Sequence, residues 1–145
     1  MMTDLELLAH LIAFPTVSGT DTAPVADFLA DRVAGPGVRL YRDGPPGGGR
    51  VNLIAVKGPR AAGDGAGLVL SGHMDVVPAT EASWRTPPFQ LTERDGRLLG
   101  RGTTDMKGFL AVAANVFAAT DAGALGAPLA LVYTYDEEAG TLGAR

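Results

Sequence analysis

Short β-prone runs alternate with helix-spaced apolar stripes along this chain, and that alternation restricts its fold more than any other feature. The β-prone runs fall at 38–41, 51–56, 68–70 and 129–135. Between them, Leu5, Leu8, Leu11 and Ile12 follow a Thr3-Asp4 cap and precede Pro15, which predicts a first helix. A second is predicted from about Ala23. Thr22 and Pro24 mark its start, Val25, Phe28, Leu29 and Val33 its buried stripe, and Gly35-Pro36-Gly37 its stop. A third is predicted over 107–120, Ala-rich, with Phe109, Val112, Val116 and Phe117 spaced for a helix and Gly123 as the C-cap. Asp95-Gly96 predicts a hairpin turn between 90–92 and 97–99. Together these elements predict an α/β sheet.

The 145 residues are 46% hydrophobic, enough for the core of one domain. The last β-prone run lies close to Arg145, where a covering helix and further strands are expected. The net charge is −4, and the 12 basic residues form no stripe, so nucleic acid is not an expected partner. The apolar run 7–14 follows Asp4 and Glu6 instead of a basic segment, and the run 110–119 is far shorter than the roughly 20 residues that span a bilayer. Neither a signal peptide nor a membrane anchor is expected, and a cytoplasmic location fits. With no cysteine, any metal must be held by imidazole and carboxylate.

Candidate donors gather at the ends of the apolar runs. His73 and Asp75 stand at i and i+2, so in extended backbone both side chains point the same way. Asp75 can then accept from the second ring nitrogen of a metal-bound His73, although a satisfied histidine at a strand end reads the same. Asp105 precedes a predicted helix, where an N-cap and a metal ligand are equally acceptable readings. Asp136, Glu137 and Glu138 are three adjacent acids after an apolar strand: a solvated turn, or a site whose charge a cation offsets. Equal intervals of 32 residues separate His73 from Asp105 and Asp105 from Glu137, each suited to one strand-to-strand passage. Three strand ends meeting at one edge would offer nitrogen and oxygen but no sulfur, a mixture suited to zinc, cobalt or manganese.

The segment Ser71-Gly72-His73-Met74-Asp75-Val76-Val77-Pro78 resembles the first metal motif of the M20 metallopeptidases. Trp84, Pro88-Phe89 and the run from Asp95 to Gly108 resemble the second, and Tyr135-Asp136-Glu137-Glu138-Ala139-Gly140 the third. The wording around Asp105 and Glu137 is most similar to the acetylornithine deacetylase branch. The resemblance implies a zinc-peptidase-like mixed sheet flanked by helices, and makes residues 1–145 the N-terminal portion of a catalytic domain, without its lid and C-terminal part. It implies that His73, Asp105 and Glu138 are metal ligands, Asp105 bridging two metals, with Asp75 orienting His73 and Glu137 the general acid/base. Two Zn²⁺, or Co²⁺ or Mn²⁺, are implied per complete site. A small N-acyl amino acid is the implied substrate, N-acetylornithine first, with succinyl-diaminopimelate or a dipeptide as alternatives. A homodimer is implied at full length, and a cis bond at Asp105-Met106. A catalytically inactive fragment and a metal-free interaction module are the competing readings of the 145 residues.

Overall fold

The computed structural model describes residues 2–60 and 67–145. The chain forms helix α1 (Asp4–Ala13), helix α2 (Ala23–Val33), strands β1 (Arg39–Asp43), β2 (Asn52–Lys57) and β3 (Leu68–His73), a hairpin of β4 (Thr92–Arg94) and β5 (Arg97–Leu99), helix α3 (Gly108–Ala119) and strand β6 (Leu129–Thr134). The main sheet has the order β1-β2-β6-β3. β1 and β2 pair antiparallel, as do β2 and β6, whereas β3 runs parallel to β6. The sheet is therefore mixed, as expected. Among the described residues, no helix is long and apolar enough to cross a membrane.

Local chemistry explains the first helix. Thr3 accepts from the Glu6 amide while the Glu6 carboxylate accepts from the Thr3 amide, a reciprocal capping box. Phe14, the residue before Pro15, is extended and ends the helix. Pro24 sits in the first turn of α2, where no amide is needed.

The core lies between the three helices and one face of the sheet. Leu53, Ala55, Leu131 and Tyr133 line that face, against Leu7, Leu11, Leu29, Leu110 and Phe117. Lys57 closes the end of the layer by donating to the carbonyls of Phe117 and Thr120 at the C-terminus of α3, the first of which also accepts from the Thr120 amide. On the opposite face Ile54, Val56, Ala130 and Val132 are only half-buried.

Four expectations need correction. Leu5 is half-exposed, and Leu7 takes its place in the buried stripe of α1. In α3, three of the four helix-spaced residues, Phe109, Val112 and Val116, are exposed, while Leu110, Ala113, Ala114 and Phe117 are buried. A helix apolar on every side carries no stripe to read, and the small alanines let its backbone approach the other helices closely. The helix ends at Thr120, and Gly123 belongs to a short turn beyond it. Finally, β3 continues through His73 and is an exposed edge strand, with Leu68 and Val69 more than half exposed.

Candidate metal centre

Because β3 and β6 are parallel neighbours, their C-terminal ends release the chain at the same end of the sheet. His73, the last residue of β3, lies beside Thr134, the last of β6. Asp136 follows with φ of 49°, a left-handed conformation that aspartate tolerates better than most residues. That turn points the amides of Glu137 and Glu138 back at the Asp75 carboxylate, 2.9 and 3.2 Å away. Asp136 is itself buried and anchored, accepting from the Gly19 amide at 2.6 Å and from Arg50 at 3.1 Å.

Asp105 arrives differently. The β4–β5 hairpin forms a sheet of its own, so Asp105 comes from the wide turn Thr103–Lys107 that opens α3, and not from a strand end as expected. It is no helix cap either: its Oδ1 lies 3.1 Å from His73 Nε2, and α3 has no side-chain cap. The Asp105-Met106 peptide is cis. Gly102 begins this turn at φ of 90°, and a Cβ there would stand 2.8 Å from Val76 Cγ1. Only glycine satisfies both the dihedral and the space.

Lys107 anchors the other end of the turn. It is fully buried, and its Nζ donates to the carbonyls of Leu11 and Phe14 at 2.9 and 2.6 Å. Its ammonium therefore caps the C-terminus of α1. Burial lowers its pKa to about 8, with the charge of Asp75 opposing that fall.

One ligand atom from each of His73, Asp105 and Glu138 lies within 4.8 Å of the others. Glu137 Oε2 is 3.8 Å from His73 Nε2. His73 is buried, Asp105 is exposed, and Glu137 and Glu138 are half-buried, with His73, Asp105 and Glu137 bordering a hollow. His73, Asp105, Met106, Thr134 and Glu137 are among the residues lining that cavity, about 390 Å³ in volume. Three acids of differing exposure around one imidazole place more negative charge here than the protein balances. Burial and the neighbouring charge of Asp105 accordingly raise the Glu138 pKa above the ordinary carboxylate value.

Beneath the rim, the His73–Asp75 pair is held tightly. His73 Nδ1 lies 2.9 Å from the Asp75 carbonyl oxygen and 3.5 Å from its carboxylate, so the main chain is the nearer acceptor. Burial lowers the His73 pKa, but the hydrogen bonds it donates to Asp75 and the charge of Asp75 outweigh that effect and hold it at about 9. Asp75 shows the mirror effect. Burial raises its pKa, yet hydrogen bonds from His73, from Ser18 at 2.6 Å and from the two amides bring it to about 2.

His73, Asp75, Asp105, Glu137 and Glu138, the five candidates named from the sequence, lie together around one hollow. Sequence reasoning missed Ser18, the Gly19 amide, Arg50 and Lys107. No local signal marks Ser18 or Arg50, since each reaches the site only through folding, across 57 and 86 residues.

The family model of peptidase family M20/M25/M40 matches residues 69–145, more than half of the chain. The chain belongs to the M20 family. Two M20 relatives are acetylornithine deacetylases. That of Yersinia pestis is 40% identical over 149 residues, covering 97% of this chain and 38% of the relative. That of Myxococcus xanthus is 43% identical over 141 residues, covering 95% and 36%. The chain thus spans well under half the length of these relatives. The fold is similar to part of an M20 family metallo-carboxypeptidase from Sulfolobus solfataricus, with TM-score 0.78, 25% identity, and 99% and 33% of the two chains covered. Human carnosine dipeptidase 1 superimposes with TM-score 0.75 at 26% identity, over 97% of this chain and 33% of that one.

Proposed function

We propose that this chain is the metal-holding portion of an M20 amide hydrolase that removes the acyl group from an N-acyl amino acid, N-acetylornithine first. The observation that carries the reading is the convergence of His73, Asp105 and Glu138 within 4.8 Å, with the Glu137 carboxylate alongside.

The donor set fits a divalent cation of intermediate hardness: one imidazole, several carboxylates and no thiolate. His73, Asp105 and Glu138 would hold it, Asp105 being shared where two are bound. The chemistry such a cation supplies is Lewis acidity, which acidifies water and polarises an amide carbonyl. Asp75 fixes the ring of His73 through its main-chain oxygen and keeps Nε2 facing the cavity. Glu137 takes the proton of the attacking water on its carboxylate and delivers it to the nitrogen of the departing amine. Bond formation to the carbonyl carbon and release of the amine are then balanced by one shuttled proton.

By themselves these residues give each of two cations about two ligands, where a catalytic site takes roughly three from protein. The 145 residues alone therefore bind metal weakly and do not turn over. Support for the deacetylase branch comes from the two bacterial relatives, each over only part of its length. Metal titration and an acetate-release assay on N-acetylornithine test the reading. Weak binding to the chain is expected, with about two metals and turnover only in a polypeptide that also carries the relatives' downstream segments. A chain that binds no Zn²⁺, Co²⁺ or Mn²⁺ would leave a metal-free interaction module as the better account.

A further inference from the structure

A second, positively charged concavity lies away from His73, where the loop around Trp84 faces the tip of the β4–β5 hairpin. It has a volume of about 540 Å³ and shares no lining residue with the metal cavity. Three arginines line it, Arg85, Arg94 and Arg97, against a single acid, Asp95. This local excess is opposite in sign to the net charge of −4 on the whole chain. Asp95 pairs only with Arg94, at 3.5 Å, and among the described residues no salt bridge reaches Arg85 or Arg97.

The walls are preformed. Asp95 and Gly96 adopt φ of 52° and 68°, the tight turn that matches strand twist and holds Arg94 and Arg97 opposite one another. Across the groove, the Trp84 indole donates to Glu81 at 2.9 Å, and Arg101 bonds the same carboxylate at 3.1 Å. The Arg101 guanidinium lies over the Trp84 ring, 5.3 Å from its centroid, so the ring is fixed from behind. Guanidiniums offer a planar fork of donors matched to the oxygens of phosphate and carboxylate, and unpaired like charges gathered in one hollow repel until an anion enters.

We infer that this groove binds a small multivalent oxyanion, a phosphate or polycarboxylate group, through Arg85, Arg97 and the partly neutralised Arg94. The inference is independent of the hydrolase reading and survives if that reading fails. Trp84 is the only tryptophan of the chain, so its fluorescence reports on this wall alone. The metal-free chain is titrated with inorganic pyrophosphate and, separately, with citrate. A saturable change with either is expected, weakening as salt is raised, and the tighter probe identifies the preferred oxyanion. R85A/R97A should weaken binding about tenfold or more, while R42A, a guanidinium outside the groove, should leave it unchanged. The substituted arginines are exposed, and unchanged far-UV circular dichroism verifies the fold. Absence of a saturable signal with both anions overturns the inference, and so does an equal loss in R42A.

Discussion

The carboxylate of Asp75 accepts from the backbone amide of Glu137 at 2.9 Å, which makes the residue that orients His73 also the residue that positions the proposed general base. The same carboxylate takes the Glu138 amide at 3.2 Å, so one buried charge sets the loop carrying both glutamates. Asp75→Asn keeps the shape but replaces an acceptor by a donor that faces other donors. It should destabilise the fold by about 1–3 kcal/mol and weaken metal binding by roughly 10–100-fold. Denaturant melts and metal titration measure the two effects, and wild-type values in both would show that Asp75 positions nothing.

Glu137 lies 3.8 Å from His73 Nε2 but outside the set of three converging donors. Glu137→Gln in an intact enzyme should therefore retain the metal content and lose about 10²–10⁴-fold in turnover. The check is metal analysis beside the rate of acetate release. Full activity would remove Glu137 from the chemistry.

His73 has a pKa of about 9 in the folded, metal-free chain, against 6.5 unfolded. Below pH 6.5 both states carry the proton and its stabilising contribution is complete; it is lost as the pH rises through 6.5 towards about 9, because the unfolded chain there binds fewer protons. The denaturation midpoint of the metal-free chain should fall between pH 6.5 and about 8, and His73→Asn should flatten that fall. Above about 8 the lowered pKa of Lys107 acts in the opposite sense, so the lower window is the clean one. Cation binding must also displace this proton, and calorimetry in buffers of different ionisation enthalpy should report about one proton released near neutral pH.

Lys107→Met should destabilise the fold by about 1–3 kcal/mol, because the Leu11 and Phe14 carbonyls lose a charged donor at the end of α1 and keep only the amides of Phe14 and Thr16. Metal affinity should fall with it, since the Thr103–Lys107 turn carries Asp105. Chemical denaturation and metal titration of the variant test both halves. A stable variant with unaltered affinity would reduce Lys107 to packing.

Gly102→Ala combines a φ of 90° with a contact of 2.8 Å to Val76, and should cost about 1–3 kcal/mol. Thermal unfolding of the variant beside the parent chain gives the value. A neutral substitution would mean that the turn tolerates a different backbone.

What the residues determined alone was local: the capping box at Thr3, the break at Pro15, the tight turn at Asp95-Gly96, and a set of donors whose motif words resemble one family. These rest on interactions between residues near in sequence, which spacing and side-chain type record directly. Other features had no such record. Which face of α3 is buried depended on what packed against a helix apolar all round, and Phe109 and Leu110 are equally apolar as letters. That Asp105 reaches His73 from the start of a helix depended on the hairpin folding apart from the main sheet. Ser18, Arg50 and the Leu11 and Phe14 carbonyls joined the site from far along the chain, because burying the charges of Asp75, Asp136 and Lys107 required partners that only the folded backbone could bring within hydrogen-bond reach.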